Sequence, residues 1–258
     1  MTCSKLISLW MLLFVAACTE ASDPVIDDLE PESSATEPAV EVDEVPSIAD
    51  EDWYDPTPKE IQQLPPKWEA AGMQLEMLNP HLAREKAPET FQFELKTTKG
   101  DIVVECVRAW SPHGVDRVYN LLKIGFFKDV AIYRVVEDFV VQFGIHGNTG
   151  VSTIWNKANI RDDPPFQSNR RGYVTLSSMR GRPNTRSTEI FINLSDNTML
   201  DERGFTPVGR IVKGLSIVDT FNGEYAGRAL PKYIREGNMS IRDRFPRMDY
   251  LKSAALIE

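Results

Sequence analysis

The charges of this chain are segregated so strongly that its N-terminal part is set apart from any folded core. Between Leu6 and Pro58 there is no Lys or Arg, while residues 19–58 carry fourteen Asp and Glu. That stretch is otherwise rich in Pro, Ser and Ala, and it offers too little apolar surface to offset the entropy of ordering it. Self-repulsion extends it further, so residues 18–58 are expected to form a disordered acidic tether, with Trp53 and Tyr54 the residues able to dock. The whole-chain net charge of −9 therefore misdescribes the remainder, since residues 59–258 hold 28 basic and 24 acidic groups, a net of +4. No basic stripe with interleaved aromatics runs through that remainder, and no nucleic-acid partner is expected.

Ahead of the tether, Lys5 is followed by an apolar run from Leu6 to Ala17. Such a run falls short of the ~20 residues that span a bilayer but suits the central region of a signal peptide. It ends Val15-Ala16-Ala17-Cys18, which resembles a bacterial lipobox. The resemblance implies removal of residues 1–17, lipidation of Cys18 and membrane anchoring by acyl chains, each buried CH₂ contributing about 0.8 kcal/mol. Ordinary signal-peptide cleavage after the same small residues remains the alternative. Thr19 is not the Asp that retains some lipoproteins at the inner membrane, so a cell-envelope location on the periplasmic face of the outer membrane is expected. Cys3, Cys18 and Cys106 supply neither a disulfide framework nor a CxxC pair. His81, His113 and His146 lack metal-ligand spacing, and neither a metal nor a cofactor is expected.

From Lys59 the character changes. Trp68, Ala71, Leu75 and Leu78 recur at helical spacing, and Asn79-Pro80 ends the run, predicting a helix over 66–78 in an N-terminal extension spanning 59–90. Its Met73 and Met77 are expected to pack rather than to bind a ligand. Phe91, Phe93 and Leu95 then alternate with polar residues, the period of a half-buried strand. Lys99-Gly100 turns the chain into a second strand on which Ile102, Val104 and Cys106 share a face, with Cys106 as a small buried hydrophobe. Ser111-Pro112 predicts a helix start with Ser111 as N-cap, Val115, Val118, Tyr119 and Leu122 give its apolar stripe, and Gly125 its stop. Short apolar strands are predicted at 130–136, 139–144, 173–178, 189–194 and 207–212, and a second helix at 214–222. Many short strands with two helices predict a mainly β fold, a closed or nearly closed antiparallel barrel.

Within this pattern, the segment Ile132-Tyr133-Arg134 through Phe139-Val140-Val141-Gln142-Phe143-Gly144 resembles the cyclophilin sequence Phe-His-Arg, five residues, Phe-Met-x-Gln-Gly. Downstream, Pro183-Asn184-Thr185-Arg186-Ser187-Thr188-Glu189-Ile190-Phe191-Ile192 resembles the Pro-Asn-Thr-x-x-Ser-Gln-Phe-Phe-Ile of the same family. Leu200-Asp201 and Gly204-Phe205-x-Pro-Val-Gly209 continue it, and the likeness covers about 135 residues in order. It implies an eight-stranded cyclophilin-like barrel capped by two helices over 91–225, with residues 226–258 as a C-terminal extension. It further implies a peptidyl-prolyl cis-trans isomerase acting on proline-containing polypeptides, expected to be monomeric.

The resemblance gives catalytic positions to Arg134, Phe139, Gln142 and Phe191, and substrate-binding positions to Val140, Met179, Glu189, Met199 and Leu200. The residue types suit the chemistry. Rotation about an X–Pro bond breaks amide resonance against a barrier of about 18–20 kcal/mol. It makes and cuts no bond, so a permanently charged donor over an apolar ring pocket is sufficient equipment. Strand parity supports part of the set, placing Glu189 and Phe191 on one face. A two-residue hairpin at Glu137-Asp138, however, puts Gln142 on the face opposite Arg134, so Gln142 rests on the resemblance and requires an irregular strand. Three positions depart from the family pattern. Glu189 replaces a usual Gln, and two roles are open to it: pairing with Arg134 in competition with substrate, or accepting substrate N–H groups. Met199 stands where many eukaryotic members carry a Trp that contacts cyclosporin. Met179, with Arg180 and Arg182 beside it, stands where a small residue commonly lines the adjoining subsite. The alternative function is a catalytically weak cyclophilin-like module that binds Pro-containing segments.

Overall fold

The computed structural model describes residues 74–179, 182–226 and 231–257. The signal sequence, Cys18, the tether with Trp53 and Tyr54, Arg180 and most of the helix expected over 66–78 lie outside the described residues. Of that helix the structure describes α1 (Leu75–Leu78), where Met77 is buried and its carbonyl accepts from the Trp155 indole N–H at 2.8 Å.

The described strands form one antiparallel sheet: β1 (Thr90–Thr97), β2 (Asp101–Val107), β3 (Val130–Ile132), β4 (Arg134–Val136), β5 (Val140–Phe143), β6 (Tyr173–Leu176), β7 (Ile190–Asn193), β8 (Pro207–Lys213) and β9 (Asp249–Ile257). Their lateral order is β3-β9-β1-β2-β8-β6-β7-β5-β4. The two ends of this order, β3 and β4, are separated in sequence only by Tyr133. The sheet therefore closes on itself through the continuous backbone of one interrupted strand, giving the mainly β barrel that the short strands predict. Phe93 and Leu95 of β1 and Ile102, Val104 and Cys106 of β2 point into the interior, where they join Val141, Phe143, Ile190, Ile192 and Val208 in one buried cluster.

The helix α2 (Pro112–Lys123) buries Val115, Val118 and Leu122 on the barrel. Tyr119 meets Phe91 edge-on at 5.3 Å. Gly125, at φ +68°, ends the helix in the left-handed conformation that glycine adopts without a Cβ penalty. Ser111 does sit at the N-cap, but its side chain does not cap. Its hydroxyl instead donates to Asp163 at 2.6 Å, and the Asp163 carboxylate accepts from the N–H groups of His113 (3.0 Å) and Gly114 (2.9 Å). The cap is thus a carboxylate supplied from elsewhere in the chain, and its negative charge suits the helix N-terminus.

Two parts differ from the sequence expectation. The helix expected over 214–222 is limited to α4 (Leu215–Val218), while α3 (Thr149–Trp155) forms where no helix was predicted, with Asn148 accepting from the N–H groups of Gly150 and Val151. The C-terminal residues also belong to the barrel. β9 pairs with both β1 and β3, so the sheet extends past Tyr225 to Ile257. Between them lie α5 (Pro231–Ile234) and α6 (Asn238–Arg244), whose Ile234 and Ile241 form a second apolar cluster with Ala131, Tyr133, Ile145, Tyr225 and Met248.

Candidate active site

The site is built on the outer face of strands β4, β5 and β7. The β4–β5 connection has three residues, Glu137–Phe139, because Val136 pairs with Val140. Asp138 sits at φ +54°, a left-handed conformation that Asp tolerates better than most residues, and the Phe139 N–H closes the turn on the Val136 carbonyl. The extra residue shifts the register by one. Arg134 therefore stands directly opposite Gln142, and Gln142 directly opposite Phe191, which in turn pairs with Thr175 of β6. This hairpin is the irregularity that Gln142 needed, and all three side chains share one face.

Phe139 lies in the turn itself, its carbonyl held by the Leu194 N–H and the Asn197 side-chain amide, both at 2.8 Å. From there its ring comes within 5.5 Å of the Arg134 guanidinium carbon, a cation–π contact. Beside this pair, Val140, Phe191 and Leu200 form a small buried apolar cluster outside the barrel core, with Phe139 and Phe205 partly buried against it. Phe191 and Phe205 meet edge-to-face at 5.6 Å. Leu200 arrives on a 3₁₀ segment, Thr198–Arg203, that is held by Asp201. The Asp201 carboxylate accepts from the Ser168 hydroxyl and from both N–H groups of Asn169. Burial works against its ionisation, but these hydrogen bonds hold its carboxyl below the usual range.

On the other side of Arg134, Nη1 donates to Gln142 Oε1 at 3.3 Å, while Gln142 Nε2 donates to Ser177 Oγ (3.3 Å) and Glu189 Oε2 (3.2 Å). The ion pair between Glu189 and Arg134 that the sequence left open does not form. Glu189 pairs with Arg235 at 2.8 Å and accepts from the Tyr133 hydroxyl at 2.5 Å, reaching Arg134 only through Gln142. Burial and the adjacent Glu189 charge push the Tyr133 phenol well above its ordinary pKa, so it remains a donor. Gln142, Ser177, Glu189 and Arg235 line a cleft of about 280 Å³ together with Asn156, Thr185 and Met179. Gly144 closes one end of β5 where a Cβ would stand 2.2 Å from the Thr188 carbonyl oxygen.

The structure thus brings together Arg134, Phe139, Val140, Gln142, Phe191 and Leu200, with Glu189 one step further along the same face. Met179 lines the cleft from a loop and Met199 lies beside Leu200; both are half-exposed at 50%. Sequence reasoning missed Tyr133, Ser177, Phe205 and Arg235. Phe205 stood inside a quoted motif and could have been found by its neighbours. Nothing local marks Arg235, which reaches the site only through the packing of the C-terminal segment. The arrangement offers an apolar recess for a ring, a fixed amide for backbone contacts and a charged fork above both.

Residues 90–235, more than half of the chain, match the family model for the cyclophilin type peptidyl-prolyl cis-trans isomerase. The chain belongs to that family. Among curated relatives, a peptidyl-prolyl cis-trans isomerase of Schizosaccharomyces pombe is 34% identical over 127 residues, covering 48% of this chain and 80% of the relative. One from Streptomyces antibioticus is 26% identical over 148 residues, covering 52% and 84% respectively. A Cryptosporidium parvum cyclophilin type isomerase of known structure aligns with a TM-score of 0.49 and 17% identity, covering 66% of this chain and 98% of that one.

Proposed function

We propose that the chain accelerates cis–trans rotation of X–Pro bonds in polypeptides of the cell envelope, with Arg134 as the group that favours the twisted amide. The observation that carries the reading is the row Arg134–Gln142–Phe191 beside the Val140–Phe191–Leu200 recess. The pyrrolidine ring sits in the recess, walled by Phe139 and Phe205, while Gln142 and the cleft beyond it take the backbone on the other side of the bond. As the amide twists, its nitrogen becomes pyramidal and gains a lone pair. The guanidinium, with five donors and a permanent charge, donates to that nitrogen or to the carbonyl oxygen more strongly than in either planar state. That difference is what accelerates an exchange otherwise lasting tens to hundreds of seconds. Lipidation at Cys18 and the acidic tether would place the domain at a membrane surface, on the periplasmic face of the outer membrane.

The test is a proline-isomerisation assay on the purified chain without added metal or nucleotide. Acceleration is expected for wild type. Arg134→Ala is expected to lose about 10²–10³-fold, the scale seen when one preorganised donor is removed from a developing charge, with an unchanged melting temperature. Equal rates for the two proteins refute the assignment.

A further inference from the structure

The acidic residue beside Arg134 is anchored from outside the row of strands that carries the site. Glu189 precedes β7 on the Phe191 face, and three donors fix its carboxylate. Tyr133 and Gln142 donate to Oε2, and Arg235 Nη2 donates to Oε1. Arg235 also donates to Asn156 Oδ1 at 2.8 Å. It follows directly on α5, whose Ile234 is fully buried in the cluster that contains Tyr133. The guanidinium is therefore delivered by the docking of the C-terminal segment.

This arrangement gives the contacts a direction. An ionised carboxylate only accepts, so Glu189 receives the NH₂ end of Gln142. The amide oxygen is then turned to Arg134, from which it accepts one hydrogen bond. The chain Arg235–Glu189–Gln142–Arg134 leaves the other Arg134 donors unengaged by Glu189. If Arg235 is removed, Glu189 becomes an anion one side chain away from an arginine with donors to spare. A direct, bidentate arginine–carboxylate pair is then the strongest contact available to both.

We infer that Arg235 is a positioning residue for the isomerase reaction: it holds the Glu189 carboxylate away from Arg134, keeping Gln142 oriented and the Arg134 fork free for the substrate amide. The inference rests on the reading of Arg134 given above. It makes the Glu-for-Gln exchange at 189 tolerable in this chain because a compensating cation arrives from the C-terminal segment.

The experiment compares five full-length proteins in the same isomerisation assay: wild type, R134A, E189Q, R235Q and the double variant E189Q/R235Q. R235Q is expected to lose at least about tenfold in kcat/KM relative to wild type, whereas the same change made in the E189Q background is expected to cost less than about threefold relative to E189Q, because the competing anion is gone. A loss as large in the E189Q background as in the wild type shows that Arg235 merely docks the C-terminal segment and overturns the inference. R235Q at the wild-type rate overturns it as well. R134A separates the two readings. An unaffected R134A refutes the mechanism itself, whereas an inactive R134A beside an unaffected R235Q refutes only the role of Arg235. Should R235Q fail to fold, Arg235→Lys serves, since it keeps the cation and is expected to stay within about threefold. A folded R235K slowed tenfold and not restored by E189Q overturns the inference.

Discussion

Replacing Asp163 by Asn tests the polar joint that holds the site's loops to the barrel. Asp163 is buried and accepts four hydrogen bonds: from Ser111 Oγ, the N–H groups of His113 and Gly114, and Arg186 Nη1 at 3.0 Å. Arg186 is itself only 1% exposed. It lies in the segment that leads into Glu189 and β7, and its carbonyl accepts from the Ile160 N–H. Asn keeps the shape, but it removes the charge and presents an NH₂ to a set of partners of which the His113 and Gly114 N–H groups and the Arg186 guanidinium can only donate. Breaking a buried ion pair from one side costs about 3–5 kcal/mol, because the other charge stays buried. Asp162 lies 3.3 Å from Arg186 Nε and retains part of the compensation, which places the cost near the lower end, about 3 kcal/mol. For a domain of this size that is a fall in Tm of about 6–12 °C, to be read by circular dichroism at pH 7. The sign of the pH dependence follows from the same contacts. Burial pushes the Asp163 carboxyl up, but the Ser111 hydroxyl, the helix N–H groups and Arg186 outweigh it and hold the group below its ordinary value. A depressed folded-state pKa contributes stability that is fully present above the unfolded value of about 3.9 and is lost as pH falls through the folded value. The gap between wild type and D163N should therefore narrow below about pH 4. A Tm shift under about 2 °C at pH 7, or a gap that stays constant down to pH 3, refutes the reasoning.

Two further outcomes concern the anchor and the rim of the site. Cys18→Ser should abolish acyl labelling and release the protein from membranes; wild-type protein recovered wholly soluble with an unlipidated N-terminus would show an ordinary secretory signal. Met199, half-exposed beside Leu200, presents a flexible thioether in place of a flat indole with a donor, so Met199→Trp should tighten cyclosporin binding. An unpaired acceptor costs about 1–3 kcal/mol, which corresponds to roughly 5- to 150-fold in Kd. Unchanged affinity in a titration of the variant would show that Met179 or another residue of the rim blocks the ligand.

Local pattern determined a good part of this protein. The period-two alternation of Phe91, Phe93 and Leu95 and of Ile102, Val104 and Cys106 gave β1 and β2 and their buried faces, and the stripe from Val115 to Leu122 gave α2. The linked motifs around Arg134 and Phe191 gave the family. Each of these is a property of neighbouring residues, which must bury the same face whatever lies beyond it. The sequence by itself did not decide the side of Gln142, which depends on whether the hairpin turns in two residues or three, and so on the left-handed Asp138. Nor did it show β9, whose alternation is weak and which is a strand because β1 and β3 both present it with unpaired edges. The cap of α2 by Asp163 and the restraint of Glu189 by Arg235 join residues about 50 and 46 positions apart. Periodicity reports which side of a segment meets an apolar interior. It carries no record of which distant polar groups will meet, because those partners are chosen only when the barrel closes and leaves each buried charge to find its counterpart.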